Sequence, residues 1–260
     1  MKTFWQFSKI FLTALLLSQI VAKNVYAVPT KNLTIFAEPN LMLAMTKLAR
    51  IYSKQSNVIV SVNFNSSEEL LDQIDQGEPA DLLITASHKA IAKVKQKGLA
   101  DYYNIGFFAK DQIVLVSPRK TATASTESNE VDLETFLTEL NSLESTIITD
   151  SSGSSSGDNA IQYLDDLNLE KLKVFNKLPE DESSILKLIK NNEKHYGLLF
   201  LSQVYDDQDL TIVAHSKKSD IFYQALVVLG YNMETAREFL RFLKSKTAKD
   251  ILQQNRLTAS

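Results

Sequence analysis

Three short polar stretches of this sequence carry residue types that bind anions without charged side chains. Asn40, the pair Ser66-Ser67, and the run from Ser151 to Ser156 each stand between a strand-like segment and a helical pattern. The first N–H groups of a helix have no intrahelical partner, and the helix dipole places partial positive charge there. Hydroxyl and amide groups at such a turn add further donors. The chemistry predicted is therefore anion binding at helix N-termini.

A simpler interpretation of each turn is a helix N-cap, and for any single turn this is the better explanation. Repetition at three turns favours the anion site. His88, His195 and His215 lie far apart in sequence and no pair has a metal-ligand spacing such as HxxxH. No nucleophile with an adjacent base can be assigned, so no catalytic residue, metal site or cofactor is predicted, and the chain is not predicted to be an enzyme.

The first half of the chain alternates strands and helices. Strand-like runs at 33–37, 58–64 and 80–86 are separated by helical patterns. The second helix opens with Ser66 and Glu69 in capping-box spacing. Such βαβαβ units build parallel sheets with right-handed crossovers, and ligands bind at the carboxyl ends of their strands. The three polar turns are thus expected at the edge where ligands bind.

The second half repeats this alternation. A strand at 111–118 ends at Pro118, a polar loop follows, and then a second α/β series. Its predicted elements are helix 132–143, strand 145–150, helix 158–168, strand 172–176, helix 182–191, strands 196–202, 210–215 and 221–230, and helices from Glu234 to about Gln254. Two such series predict an α/β fold with two lobes, each a mixed, mostly parallel sheet flanked by helices.

The N-terminus has the layout of a secretory signal peptide. Lys2 and Lys9 precede or border an uncharged run at 10–22, which has too few residues to cross a membrane as a helix. Small residues at Val25 and Ala27 predict cleavage after Ala27. A retained membrane anchor is the alternative, because Lys23 and Asn24 interrupt the segment. We expect a secreted, periplasmic protein.

Composition narrows the class of partner. Removing Lys2, Lys9 and Lys23 from the 28 basic residues leaves 25 against 31 acidic ones, a net charge of −6 for residues 28–260. A weakly acidic chain without a basic stripe argues against nucleic acid as a partner. The sequence has no cysteine, which excludes disulfides and thiolate sites.

Four stretches resemble, in order and spacing, the periplasmic molybdate-binding proteins of ABC transporters. They are "LTIFAEPNLMLAM", "FNSSEELLDQIDQGEPADLLITAS", "LVSP" and "FLRFLKSKTAKDILQQ", and the similarity is densest at 73–86. The resemblance implies a two-lobed periplasmic-binding-protein fold. It also implies a tetrahedral oxyanion, held in a cleft by neutral donors and delivered to an inner-membrane permease.

The resemblance also implies site residues. Asn40 takes the place of the family's first serine, and Ser67 retains the second. Ser156 takes the position of a backbone donor, and a further backbone donor falls near Glu182. Phe200 stands where the family has a tyrosine, and it cannot donate a hydrogen bond.

These inferences combine into one prediction. Lobe 1 comprises 28–112 and 220–260, and lobe 2 comprises 113–219. A monomeric solute-binding protein is expected to capture molybdate or tungstate between them and deliver it to an ABC permease. Another oxyanion or a small organic ligand is the alternative, as is a secreted enzyme or signalling protein whose site has degenerated.

Overall fold

Hydrophobic strands and amphipathic helices alternate along the structure, which is a computed structural model. It describes residues 31–119, 132–141, 145–151, 153–169, 172–176, 182–204 and 207–259. The predicted signal peptide lies outside the described residues. None of the described helices is long and apolar enough to cross a membrane.

The strands and helices follow the predicted order closely. The strands are β1 Lys31–Ala37, β2 Val58–Phe64, β3 Leu82–Thr85, β4 Ala100–Pro118, β5 Thr146–Ile148, β6 Lys173–Phe175, β7 His195–Phe200, β8 Leu210–Val228 and β9 Thr258–Ala259. The helices are α1 Met42–Ser56, α2 Ser67–Asp75, α3 His88–Lys97, α4 Leu133–Leu140, α5 Ser155–Asp166, α6 Glu182–Lys190, α7 Leu201–Val204, α8 Met233–Leu243 and α9 Lys246–Gln254. A 3₁₀ turn, Pro39–Leu41, joins β1 to α1.

Within the described residues the strands form one mixed sheet. Their order is β2-β1-β3-β8-β4-β7-β5-β6, and β9 pairs with β4. Strand β1 pairs in parallel with β2 and β3, and β5 pairs in parallel with β6 and β7. The long strands β4 and β8 run antiparallel to each other between these two parallel groups. The carboxyl ends of β1, β2 and β3 therefore lie at one edge, as the βαβαβ pattern predicts.

The predictions for strands β4 and β8 were wrong in length. Strand β4 begins at Ala100, well before the predicted start, and the predicted strands 210–215 and 221–230 are one strand, β8. The polar stretch at 215–220 resembles a turn in sequence. Its backbone instead pairs with β4, for example Gln112 with Asp220, and this pairing continues through several register shifts. Long-range backbone pairing overrides the local preference for a turn.

Buried apolar residues fix the two helices that approach the predicted site. Helix α2 buries Leu70 and Leu71 against a cluster that includes Leu83 of β3. Helix α5 buries Ala160 and Leu164 in the largest cluster of the core. Close packing of these side chains holds each helix rigidly on the sheet, so the helix N-termini have fixed positions.

Candidate binding site

A cleft of about 770 Å³ opens where the turns after β1, β2 and β5 meet. This volume falls within the ~300–1,000 Å³ range of small-molecule sites. Its lining consists of Glu38, Pro39, Asn40, Asn65, Ser66, Ser67, Glu68, Glu69, Asp72, Asp150, Ser151, Ser154, Ser155, Ser156, Asn176 and Gln203. The structure thus brings together three of the residues named from sequence: Asn40, Ser67 and Ser156.

Helix α2 begins at the cleft, where Ser66 and Glu69 contact each other as their spacing predicts, although the backbone N–H of Ser66 donates to Oδ1 of Asn65 at 2.9 Å and not to Glu69. Ser66 is the N-cap: its hydroxyl accepts from the backbone N–H of Glu69 at 3.3 Å and donates to the Glu69 carboxylate at 3.1 Å. This arrangement places Ser67 in the first helical position, where it is buried. The Ser67 hydroxyl donates to Oε1 of Glu38 at 2.6 Å.

Glu38 lies at the centre of the donor groups, although the sequence reasoning assigned it no role. Its side chain is only 2% exposed. Its carboxylate accepts from the hydroxyls of Ser67, Thr85 and Ser155 and from the backbone N–H of Ala86. Burial raises the pKa of Glu38 above the usual glutamate value, and the hydrogen bonds from Ser155, Ser67, Thr85 and Ala86 partly oppose that rise.

A signal for Glu38 was present in the sequence. A charged residue directly after a buried strand and before a proline stands at the edge where ligands bind, and burying it requires donors. The identity of those donors was not predictable from the sequence, because Ser155 is 117 residues away along the chain.

Asn40 follows Glu38 across the 3₁₀ turn and reaches a second buried group. Its side-chain amide donates to the hydroxyl of Tyr223, a fully buried residue of β8. Burial, followed by the nearby charges of Asp111 and Glu38, raises the pKa of Tyr223 well above the usual tyrosine value. The phenol therefore stays protonated, and it donates to Oδ2 of Asp111 at 3.5 Å.

The serine-rich run forms the N-terminus of α5 on the opposite side of the cleft. Ser154 is the N-cap and accepts from the backbone N–H of Gly157 at 3.0 Å. Ser155 donates to Glu38, whereas the Ser156 hydroxyl donates to Oε1 of Gln203 at 2.7 Å. Helix α5 begins three residues earlier than predicted because Ser154 supplies the cap.

Phe200, which was named from sequence, is not among the described residues that line the cleft. Phe200 is fully buried at the end of β7, with its ring edge-on to Tyr223 at 6.4 Å between centroids. Its backbone N–H donates to Oε1 of Gln203 at 2.9 Å. Glu182 is the first residue of α6, and its side chain lies outside what the structure describes.

The stretch Gly153 to Gly157 also fits the G-x-S-x-G pattern of hydrolase nucleophiles, with Ser155 in the nucleophile position, a match that the sequence reasoning missed. In the structure Ser155 donates to the Glu38 carboxylate, and no histidine is among the residues lining the cleft. The Ser-His pair that activates such a nucleophile is therefore not assembled here.

The charge of the lining is one-sided. Among the lining residues that the structure describes, five are acidic, namely Glu38, Glu68, Glu69, Asp72 and Asp150, and none is Lys, Arg or His. Burial also raises the pKa of Asp150. Across the described part of the chain, no group of three or more potential ligand side chains could hold a metal ion. The described lining therefore offers an anion hydroxyl and N–H donors.

Gly157 lies in a closely packed part of the serine-rich turn. A Cβ at this position would overlap the backbone carbonyl oxygens of Ser151 and Asp150. We expect Gly157→Ala to lower the free energy of unfolding by about 2 kcal/mol, the usual cost of overpacking. Urea denaturation measures this change. Gly230→Ala is the control, because its Cβ would meet nothing within 4 Å, and an equal loss in both variants would contradict the expectation.

Comparison with known proteins gives consistent matches over nearly the whole described chain. A family model for bacterial extracellular solute-binding proteins matches residues 33–255. The molybdate-binding protein ModA of Haemophilus influenzae is 27% identical over 227 residues, covering 84% of this chain and 87% of that protein. The protein of the same name from Escherichia coli is 28% identical over 248 residues, covering 92% and 93%.

The structural match extends over a similar length. The periplasmic molybdate-binding protein of Azotobacter vinelandii superposes with a TM-score of 0.59 at 18% identity, covering 87% of this chain and 98% of that one. At this identity the likeness concerns the fold, and it supports the predicted periplasmic-binding-protein architecture.

Proposed function

Because this chain belongs to the family of bacterial extracellular solute-binding proteins, we propose that it captures a small tetrahedral oxyanion in the cleft and delivers it to an ABC permease. Molybdate or tungstate is the first candidate. The curated relatives that match this chain are named as molybdate-binding proteins and not as enzymes. In this proposal the ligand undergoes no chemical step.

One observation carries the proposal: donors from three separate elements converge on one buried group of anionic oxygens. Ser67 begins α2, Thr85 ends β3 and Ser155 begins α5, and all three hydroxyls donate to the same carboxylate. A carboxylate and a tetrahedral oxyanion require the same donors. The N-termini of two helices add partial positive charge at this point. The cleft therefore supports the binding of anionic oxygen without a basic side chain.

The acidic lining favours a second candidate, the small organic ligand that was the alternative from sequence. Five acidic residues, with no basic residue among the described lining of this cleft, attract an ammonium group and repel a free dianion. A ligand that carries an amine or many hydroxyls would suit the exposed acids Glu68, Glu69 and Asp72. A secreted protein without a transport role would have the same fold.

The remaining parts of the proposal concern the whole protein. We infer export to the periplasm with cleavage after Ala27, a monomeric state, and no role for nucleic acid. Lobe 1 would comprise 28–112 and 220–260, and lobe 2 would comprise 113–219. The chain would cross between the lobes near 110–118 and 214–222, and closure about these crossings would trap the ligand. Strands β4 and β8, which join the two parallel groups of strands, support this division.

The proposal predicts selective oxyanion binding. We expect protein exported from the full-length chain and stripped of ligand to bind molybdate or tungstate at least about tenfold more tightly than sulfate or phosphate, a difference of about 1.4 kcal/mol. Isothermal titration calorimetry at fixed pH and salt measures this selectivity. Binding of 1,4-diaminobutane, together with no detectable binding of any of the four oxyanions, would replace the proposal with the second candidate.

A further inference from the structure

We propose that the carboxylate of Glu38 is an internal anion that occupies the oxyanion donors of the cleft, so that a solute oxyanion binds only by displacing it. This inference rests on the proposed function, since it names the residue that competes for the same site. It makes Glu38 the residue that sets the affinity for oxyanions.

The count of hydrogens is the first support. A serine or threonine hydroxyl has one hydrogen to donate. The hydroxyls of Ser67 and Ser155 each donate theirs to Glu38, and Thr85 makes a third such bond. The backbone N–H of Ala86 adds a fourth at 3.2 Å. While the carboxylate stays in place, these donors have no hydrogen left for a solute anion.

The position of Glu38 in the chain is the second support. It directly follows β1 in extended conformation (φ −74°, ψ 149°) and precedes Pro39, which begins the 3₁₀ turn. Proline restricts the residue before it to this extended region. The backbone therefore anchors the carboxylate at the edge of the sheet, and rotation of the side chain is the available way to free the donors.

Charge is the third support. The carboxylate is 2% exposed, and none of the described residues that line the cleft is basic and could compensate a second anion. Like charges held close together in a site of low polarity repel strongly, so the solute and an ionised Glu38 cannot share the donors. The cleft of about 770 Å³ leaves room for a displaced side chain.

Molybdate titrations of Glu38 variants, with protein exported from the full-length chain, test this inference. Glu38→Ala frees all four donors and removes the charge, so we expect it to bind molybdate at least about thirtyfold more tightly than the unsubstituted protein. Glu38→Gln removes the charge and keeps the side-chain volume. We expect a smaller gain, of at least about fivefold, from a variant that keeps the fold even if the alanine variant does not.

Glu68→Gln is the matched control, because it removes one charge from the exposed rim of the same cleft and frees none of these donors. We expect a gain below about fivefold, the size of an exposed charge effect. Equal or weaker molybdate binding by both Glu38 variants, with binding by the unsubstituted protein, would overturn the inference and leave the proposed function standing. No detectable binding of molybdate, tungstate, sulfate or phosphate by the unsubstituted protein or any variant would overturn both the inference and the proposed function.

Discussion

Asp111→Asn is expected to stabilise this protein increasingly, relative to the unsubstituted chain, as the pH rises from 4 to 7. Asp111 is a 4% exposed residue of β4. Burial raises its pKa from 3.8 to about 6, against the opposing effect of hydrogen bonds from Ser202, Gln112 and Tyr223. The difference of about two pH units corresponds to about 3 kcal/mol.

The sign of this pH dependence follows from the number of protons bound in the folded and unfolded states. Below pH 3.8 both the folded and the unfolded chain keep Asp111 protonated. Between pH 3.8 and about 6 the unfolded chain loses this proton while the folded chain retains it. The folded state binds more protons in this window, so the contribution of Asp111 to stability is lost as the pH rises. An asparagine at this position does not titrate.

Urea denaturation of both proteins at several pH values between 3.5 and 7.5 measures this effect. The quantity of interest is the difference in unfolding free energy between Asp111→Asn and the unsubstituted chain. Contributions from the other acidic residues cancel in this difference. We expect it to change by about 3 kcal/mol across the window. Asp165→Asn, at an exposed position of α5, is the charge control. A difference that stays constant with pH would show that Asp111 ionises normally.

The double variant Ser67→Ala with Ser155→Ala is expected to lose at least about 3 kcal/mol of unfolding free energy at pH 7.5. Each hydroxyl donates to the buried Glu38 carboxylate, and a hydrogen bond to a charged group contributes about 1.5–3 kcal/mol. Without these donors the burial of Glu38 is less well compensated, so its pKa rises further. Protonation in acid relieves this cost, and we expect a smaller loss at pH 4.5.

Chemical denaturation at the two pH values measures both parts of this prediction. Ser156→Ala is the matched control, because Ser156 is buried in the same helical turn and donates to the neutral amide of Gln203. Its loss should be about 1 kcal/mol at both pH values. Equal losses for the double variant at pH 4.5 and 7.5 would mean that the two serines do not stabilise an ionised Glu38.

Local patterns predicted the first half of the fold well. Strand β2 has the predicted bounds, and Ser66 caps helix α2 by accepting from the backbone N–H of Glu69, as expected. Both features depend on residues within a few positions of one another, so their sequence signals are direct. The presence of Asn40, Ser67 and Ser156 in one cleft was likewise predictable, because each follows a strand whose carboxyl end borders the same site.

The details that depend on distant contacts were not predictable in this way. The length of β8 depends on its pairing with β4, about a hundred residues away. The aromatic ring of Phe200 packs in the core instead of lining the cleft, because β7 places it against Tyr223 of β8. Such choices depend on which elements become neighbours, and this information is not contained in local periodicity.

The sequence by itself determined the α/β class, the family resemblance and the polar turns at helix N-termini, because these follow from periodicity, capping residues and short motifs. Only the tertiary structure decided which group those donors bind. Ser67, Thr85 and Ser155 come from three elements and meet at Glu38. The ionisation of buried Glu38 and Asp111 was decided in the same way. The physical reason is that desolvation and hydrogen bonding depend on neighbours in space, which only the packed sheet and helices bring together.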